Sequence, residues 1–407
     1  MSQLTPEQLA SIMDAYKITS TEDIHHAVKD IMKGVLQQTL EAELDVSLGY
    51  RKYDRSQKDT DNSRNGSYKK HVKSSFGPID LAIPRDHQGE HEPIIVKKGQ
   101  SDVSNLQERV ISMYGKGMSN RDIYQHMHEI YGVEISADMV SKITDRLLPE
   151  IKAWQSRLLQ SVYPILYMDA IHFNVRDNGK VVKKAVYLAL GIDCTGMKDV
   201  LGIWIGENEN SKYWLSVLTE LKNRGVQDIL IACVDGLSGF SEAIETVFPL
   251  AEVQRCIVHH IRYCSKFVNH TDRKLFCKDM KQIYQATTEQ SALEGLRTFD
   301  KKWGKKYGYA VRSWENNWAQ LSTFFKYPNE IRRIIYTTNP IESLNSSIRK
   351  ITTPKRVFPT DDAVLKSVFL AVNSRIEKWT SRTRDWGVIW GQISIHFQDR
   401  VKEVTMF

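Results

Sequence analysis

The stretch between residues 163 and 260 most constrains the fold. It opens with YPILYMDAIHFNV, resumes as KAVYLALGID after Asp177-Asn178-Gly179, and resumes again as VLGIWIG after a turn from Asp193 to Lys198. Runs of β-branched, aromatic and aliphatic residues punctuated by turn residues predict three consecutive strands in an antiparallel meander. SKYWLSVLTELKNRG then has helical spacing, DILIACVD is an apolar run of strand length, a helix follows from Ser238 to Val247, and VQRCIVH closes the series. The order is β-β-β-α-β-α-β, a sheet that needs helices to cover it.

Two aspartates sit at informative places in this order. Asp169 ends the apolar run of the first strand, and Asp235 follows DILIACV directly, before Gly236. A lone aspartate after a strand is ordinarily a turn or helix cap. Two on neighbouring strands resist joint ionisation, and a divalent cation removes that penalty. A third acid, Glu342, falls in the first turn of a helix predicted to start after Pro340, as IESLNSSIRKI, and to end at Pro354. Three carboxylates are the oxygen donors that Mg²⁺ prefers. Two such ions about 4 Å apart serve in-line displacement at phosphorus. Residues 261–330 carry no comparable strand but show helical spacing and many aromatics, among them Trp303, Trp314, Trp318, Phe324 and Phe325, and read as an all-helical insertion.

The N-terminal third has a different texture. Ile24, Val28, Ile31, Met32, Val35, Leu36 and Leu40 recur at three- and four-residue intervals, the stripe of an amphipathic helix that needs a covering surface, either a second subunit or the rest of this region. RKYDRSQKDTDNSRNGS is almost devoid of apolar residues and reads as a mobile linker or a loop ordered by DNA. YKKHVKSSFGPIDLAIPRD alternates around Gly77-Pro78, with Val72, Ile79, Leu81 and Ile83 as the apolar face of a short hairpin. Three helices follow: one with Val103, Leu106, Val110 and Tyr114, one capped by Ser119 with Ile123, Met127 and Ile130, and, after a YGVE turn, one capped by Ser136 with Val140, Ile143 and Leu147 inward. They form a helix-turn-helix whose last helix would turn Asp138, Ser141, Lys142 and Arg146 outward, in position for a DNA groove.

Charge distribution is compatible with a polyanionic partner. The net charge is +7, yet residues 1–50 hold three basic against eight acidic side chains, whereas residues 262–306 hold eleven against five and residues 320–360 seven against two. Positive charge therefore gathers where phosphate contacts would be useful. Five scattered cysteines predict reduced thiols. With neither a long apolar run nor a leader-like start, the expectation is a cytoplasmic, nucleoid-associated protein away from membranes.

The chain resembles the Mutator-type transposases of bacterial insertion sequences, which carry an Asp-Asp-Glu site. The matching stretches are RNGSYKK with GPIDLAIPRD and EPIIVKK, then MDAIHFNVR, KAVYLALGID, VDGLSGFSEAI, QRCIVHHIR and, most specifically, YTTNPIESLNSSIRK. The resemblance implies an RNase H-like α/β catalytic core (β-β-β-α-β-α-β), an all-helical insertion before the last catalytic helix, and a mainly helical N-terminal DNA-binding region with a small β hairpin. It places the catalytic, metal-holding acids on Asp169, Asp235 and Glu342. Cys256 and His259 take the family's Cys-x-x-His element, with a structural or DNA-positioning role. Zinc is the rival for that pair, but no second Cys/His pair of recognised spacing accompanies it. HQGEHEP after the hairpin departs from the family pattern, which bears on local DNA contacts only.

Around Glu342, Asn339 and Asn345 are placed to orient the acid or touch DNA, and Arg349 and Lys350 to reach a phosphate. Trp314 and Trp318 are candidates for stacking on an unpaired base, although aromatics four apart on a helix are more often core. The implied activity is binding of double-stranded DNA at terminal inverted repeats, cleavage by water activated with Mg²⁺ (two ions, Mn²⁺ a substitute), and strand transfer by the freed 3′-hydroxyl into target DNA. A homodimer would bring two ends together. Alternatives are a DNA-binding regulator with an inactive core and a metal-dependent host nuclease without strand transfer. The expected segments are 1–50 (helical, oligomerisation), 51–100 (basic linker and hairpin), 101–150 (helix-turn-helix), 151–260 (first part of the core), 261–330 (insertion) and 331–407 (second part of the core with Glu342).

Overall fold

The computed structural model describes residues 5–53, 60–74, 76–98, 106–131, 135–207, 211–236, 239–336 and 338–401. The chain divides between Asp145 and Arg146 into two compact units.

In the first unit, helices α1 (Pro6–Tyr16) and α2 (Thr21–Leu48) each start at a capping box, on Thr5 and Ser20. Strands β1 (Arg64–Ser74) and β2 (Gly77–Asp86) pair antiparallel from Ser74 opposite Gly77. The reversal therefore precedes the predicted Gly77-Pro78, which lies in β2. Val72, Ile79, Leu81 and Ile83 form one buried cluster with Leu40 of α2.

That contact corrects the predicted stripe on α2. Leu40, Leu44 and Leu48 are buried, whereas Ile24, Ile31 and Val35 are exposed: the hairpin follows the helix as far as His25, whose ring lies 6.0 Å from that of Phe76, and these three side chains fall outside the face it covers. The linker is also corrected in part. Residues 54–59 lie outside the described residues, but Arg64 to Ser67 already belong to β1, and the Asn62 amide donates to Asp86 Oδ2 at 2.7 Å and is buried.

Helices α3 (Leu106–Gly115), α4 (Asn120–Tyr131) and α5 (Ala137–Asp145) follow, with Leu106, Val110, Tyr114, Ile123, Met127, Val140 and Ile143 buried. The Ser119 and Ser136 hydroxyls accept from the amides of Asp122 and Met139, the caps read from the sequence. Val103 and residues 132–134 of the YGVE turn lie outside the described residues. Leu147 does not continue the third helix: α5 stops at Asp145, and Leu147 opens α6 (Leu147–Gln155) in the second unit.

The second unit is built on a mixed sheet of β3 (Val162–Asp177), β4 (Lys180–Ile192), β5 (Lys198–Gly206), β6 (Asp228–Val234) and β7 (Glu252–Arg255), in the spatial order β5-β4-β3-β6-β7. The first three run antiparallel as a meander, and β6 and β7 join parallel to β3. Helices α7 (Ser211–Asn223) and α8 (Phe240–Val247) make the two crossovers. One face of the sheet packs Leu166, Met168, Tyr187 and Ala189 against Trp214, Leu218, Phe240 and Ile244 of these helices. Each large side chain taken from water there contributes roughly 1.5–3 kcal/mol.

After β7 the chain is helical: α9 (Ile257–Ser265), α10 (His270–Tyr284), α11 (Glu289–Asn316), α12 (Trp318–Leu321) and α13 (Asn329–Ile335). It then returns to the other face of the sheet, where the Tyr167 hydroxyl donates to the carbonyl of Ile334 at 2.6 Å. Helices α14 (Asn339–Thr352), α15 (Asp361–Ile376), α16 (Trp386–His396) and α17 (Gln398–Val401) complete it. The five cysteines are free thiols. Among the described residues no helix is long and apolar enough to cross a membrane.

Candidate functional site

The parallel register of β3 and β6 brings the two aspartates together. Tyr167 pairs with Cys233, and Asp169 and Asp235 each stand two residues further along. Side chains two apart share a face, so both carboxylates lie on the face reached by the returning chain. Asp169 accepts from the Ala170 amide at 2.9 Å and from the Asn345 Nδ2 at 2.6 Å. Burial, and after it the charge of Asp235, pushes the Asp169 carboxyl up from 3.8 to about 6, against the opposing charges of His259 and Arg349.

Helix α14 delivers the third acid. Thr338 is its N-cap residue, Pro340 lies in its first turn, and Glu342, Asn345 and Arg349 follow at helical spacing on one face. Ile341, Leu344 and Ile348 form the buried stripe that adjoins this face. Glu342 Oε1 meets Arg262 Nη1 at 2.9 Å and His259 Nε2 at 3.3 Å, both from α9. The other nitrogen of His259 lies 3.5 Å from the Thr338 hydroxyl, which also donates to Cys256 Sγ at 3.3 Å.

This network sets the protonation of the Cys-x-x-His pair. The hydrogen bond to Cys256 raises His259 from 6.5 to about 9 against the cost of burial, with help from the charges of Cys256, Asp169 and Glu342. Burial works to raise Cys256, but hydrogen bonds from His259 and Thr338 outweigh it and the thiol is lowered. Imidazolium beside three acids is a local counter-charge.

The fit to divalent metal is therefore uneven. Asp169, desolvated by burial, and Asp235 form a like-charge pair of hard oxygen donors, the arrangement a cation relieves. Glu342 is turned to Arg262 and His259, and among the described residues no three His, Cys, Asp or Glu side chains form a group able to hold an ion.

Other predicted residues separate. Arg349 is exposed and close enough to act on the charge of Asp169, and Lys350 is exposed beside it. Asn339 begins α14 and is exposed. Lys142 is exposed on α5 in the first unit, whereas Arg146 caps α6 in the second. Trp314 offers no stacking face: it is buried at 1% and packs edge-on against His260, ring centres 4.7 Å apart. Trp318 is half-buried, its Nε1 donating to Glu289 at 2.9 Å.

Three participants escaped the sequence reading. Arg262 lies one helical turn past His259, a spacing that would have flagged it. Thr338 precedes the Asn-Pro of the glutamate motif as an ordinary cap. Arg255, the last residue of β7, donates from Nη2 to the carbonyl of Gly236 at 2.9 Å and from Nη1 to Asn317. A Cβ at position 236 would meet that guanidinium, so a larger residue there would have to displace Arg255.

The family described as "Transposase, Mutator family" matches residues 4–382. The chain is 41% identical over 372 residues to the transposase for insertion sequence element ISRM3 of Rhizobium meliloti (strain 1021), covering 91% of this chain and 92% of that one. It is 33% identical to the transposase for insertion sequence element IS905 of Lactococcus lactis subsp. lactis (strain IL1403), covering 89% and 91%. It is 26% identical to the transposase for insertion sequence element IS256 in transposon Tn4001 of Staphylococcus aureus, covering 94% and 97%. A solved simian T-cell lymphotropic virus intasome in complex with PP2A regulatory subunit B56 gamma aligns with 51% of this chain and 68% of that one at 12% identity. Its TM-score of 0.19 is too low to bear on fold or function.

Proposed function

Because the chain belongs to the Mutator family of transposases, we propose that it binds the terminal inverted repeats of its own element, cuts them at an Asp169, Asp235 and Glu342 site, and joins the freed 3′-hydroxyl to target DNA. The observation that carries the reading is the parallel pairing of β3 and β6 up to Tyr167 and Cys233, which brings Asp169 and Asp235, just past the end of β6, together, with α14 packed on β3 so that Asn345 holds Asp169. The strand order and the acids on neighbouring central strands support an RNase H-like core.

Asp169, Asp235 and Glu342 would hold Mg²⁺, or Mn²⁺ in its place. When bound, the metal supplies a more acidic attacking oxygen and charge stabilisation on the phosphate. Asn345 fixes one oxygen of Asp169 and leaves the carboxylate's remaining lone pairs available. Arg262 and His259 keep Glu342 paired while DNA is absent. The exposed Arg262 arm of that pairing is worth about 0–1 kcal/mol, low enough for a DNA phosphate to take Arg262 and release the acid. Arg349 and Lys350 extend the basic surface along α14, and Lys142 would face DNA from the helix-turn-helix of the first unit. Two ends need two such sites, hence a homodimer.

Incubating a duplex that carries the element's ends with the protein tests this. In Mg²⁺ it yields nicks with 3′-hydroxyls and joined products, and a chelator abolishes both. A regulator would bind without cutting, and a host nuclease would cut without joining.

A further inference from the structure

A cavity of about 500 Å³ opens beside Asp235 within the second unit, between α9 and the C-terminal part of α11. Cavities of roughly 300–1,000 Å³ take one small ligand or one monomer of a larger one. The walls combine three chemistries. Arg255 and Arg312 bring guanidinium charge, Tyr263 and Tyr309 bring aromatic rings whose hydroxyls meet at 2.8 Å, and Asn316 and His260 bring hydrogen-bonding edges.

Two of these groups are left wanting. His260 is 2% exposed and its Nδ1 has no hydrogen-bond partner, although Nε2 lies 3.6 Å from Cys264 Sγ. Burial, then the charge of Arg255, lowers the His260 ring to about 3, so it is neutral. Arg255 Nε is likewise buried and unpartnered. A buried polar atom without a partner is destabilising, and an entering ligand that bonds to it would relieve that.

The ligand must carry negative charge for two arginines, a flat face for tyrosine and polar edges for asparagine and histidine, and must arrive next to Asp235. One nucleotide of a DNA strand has all three. A paired nucleotide is held inside the duplex, so the one that enters must be unpaired. Resting on the transposase reading, we infer that this pocket receives a single unpaired nucleotide adjoining the cut, its phosphate at Arg255 and Arg312 and its base toward Tyr309 and Asn316. The stacking role that Trp314 cannot fill passes to the exposed ring of Tyr309, 55% accessible and five residues earlier on α11.

The test compares two end duplexes in chelator, one fully paired and one with a fluorescent base analogue bulged beside the cut. Wild type should bind the bulged duplex roughly tenfold more tightly and change the analogue's emission. Tyr309→Ala and Arg312→Gln, both at exposed positions, should lose the preference and the emission change while binding the paired duplex as wild type does. Ser313→Trp should do the same by filling the cavity. Equal binding of both duplexes by a wild type that still nicks the paired end in Mg²⁺ overturns the pocket and leaves the transposase reading intact. A preference that survives all three substitutions also overturns it. A preference in a protein that never nicks supports the pocket and overturns the transposase reading instead.

Discussion

Asp169 and Asp235 hold their places through sheet register, whereas Glu342 holds its place through a helix that returns some eighty residues after the end of β7. The strand acids are committed as soon as β3 and β6 pair. The helix acid depends on the packing of Ile341, Leu344 and Ile348 and on side-chain partners from α9. Electrostatics follows the same division. The strand pair is a like-charge pair with Asp169 pushed upward, while Glu342 is paired with cations. One half of the site is thus preassembled and strained, and the other is parked at low cost.

Removing the packing that carries α14 should have the largest effect on stability. Ile348→Ala deletes a fully buried side chain and should cost about 2–5 kcal/mol, read by urea unfolding. A cost under about 1 kcal/mol would mean that α14 is not docked as described.

The strand acids should behave in the opposite sense. The Asp169 carboxyl titrates at about 6 in the fold against an ordinary 3.8, so the folded state holds the proton more tightly and stability falls as pH rises between those values. Asp169→Asn should therefore stabilise the metal-free protein by roughly 3 kcal/mol above pH 6, with the gain vanishing below about pH 4. Thermal unfolding in chelator across this range checks it, and a gain independent of pH would remove the like-charge account. His259 has the other sign: raised from 6.5 to about 9, it contributes stability that is full below 6.5 and lost as pH climbs through 9. His259→Gln should flatten that limb.

Asn345→Ala removes the side-chain donor to Asp169 and should cost on the order of 1–2 kcal/mol, less at low pH where the carboxyl is neutral. Glu342→Gln should be smallest, within about 1 kcal/mol, since its Arg262 partner is 59% exposed. A larger loss would make the glutamate a structural element and sharpen the contrast away.

The same contrast explains what the sequence made legible. Strand identity and the positions of Asp169 and Asp235 are local: apolar runs, turn residues and an acid at the run's end. The glutamate was readable only through its motif, because nothing near Asn339-Pro340-Ile341 specifies which sheet face α14 returns to. Thr338 was hidden for that reason, since it matters through a partner about eighty residues away, whereas Arg262 was signalled only by its spacing from His259. Periodicity misled where cover was partial. Ile24, Ile31 and Val35 belong to the same broad stripe as Leu40, yet they are exposed beside the face that the hairpin covers as far as His25. Composition misled at Arg64 to Ser67, where a polar run extends the strand opposite Pro84 to Asp86 and Arg64 is held by Glu41 of α2 at 3.0 Å.

The central claim is that three carboxylates with divalent metal cut the DNA. It is tested most directly by the rate of nicking of an end-containing duplex in Mg²⁺ by wild type, Asp169→Asn, Asp235→Asn and Glu342→Gln, each shown to bind that duplex equally. The account predicts that wild type nicks and that each variant is slower by about a thousandfold, the several kcal/mol that metal-held charge contributes to such a transition state. Wild-type nicking by any one of the three would contradict it.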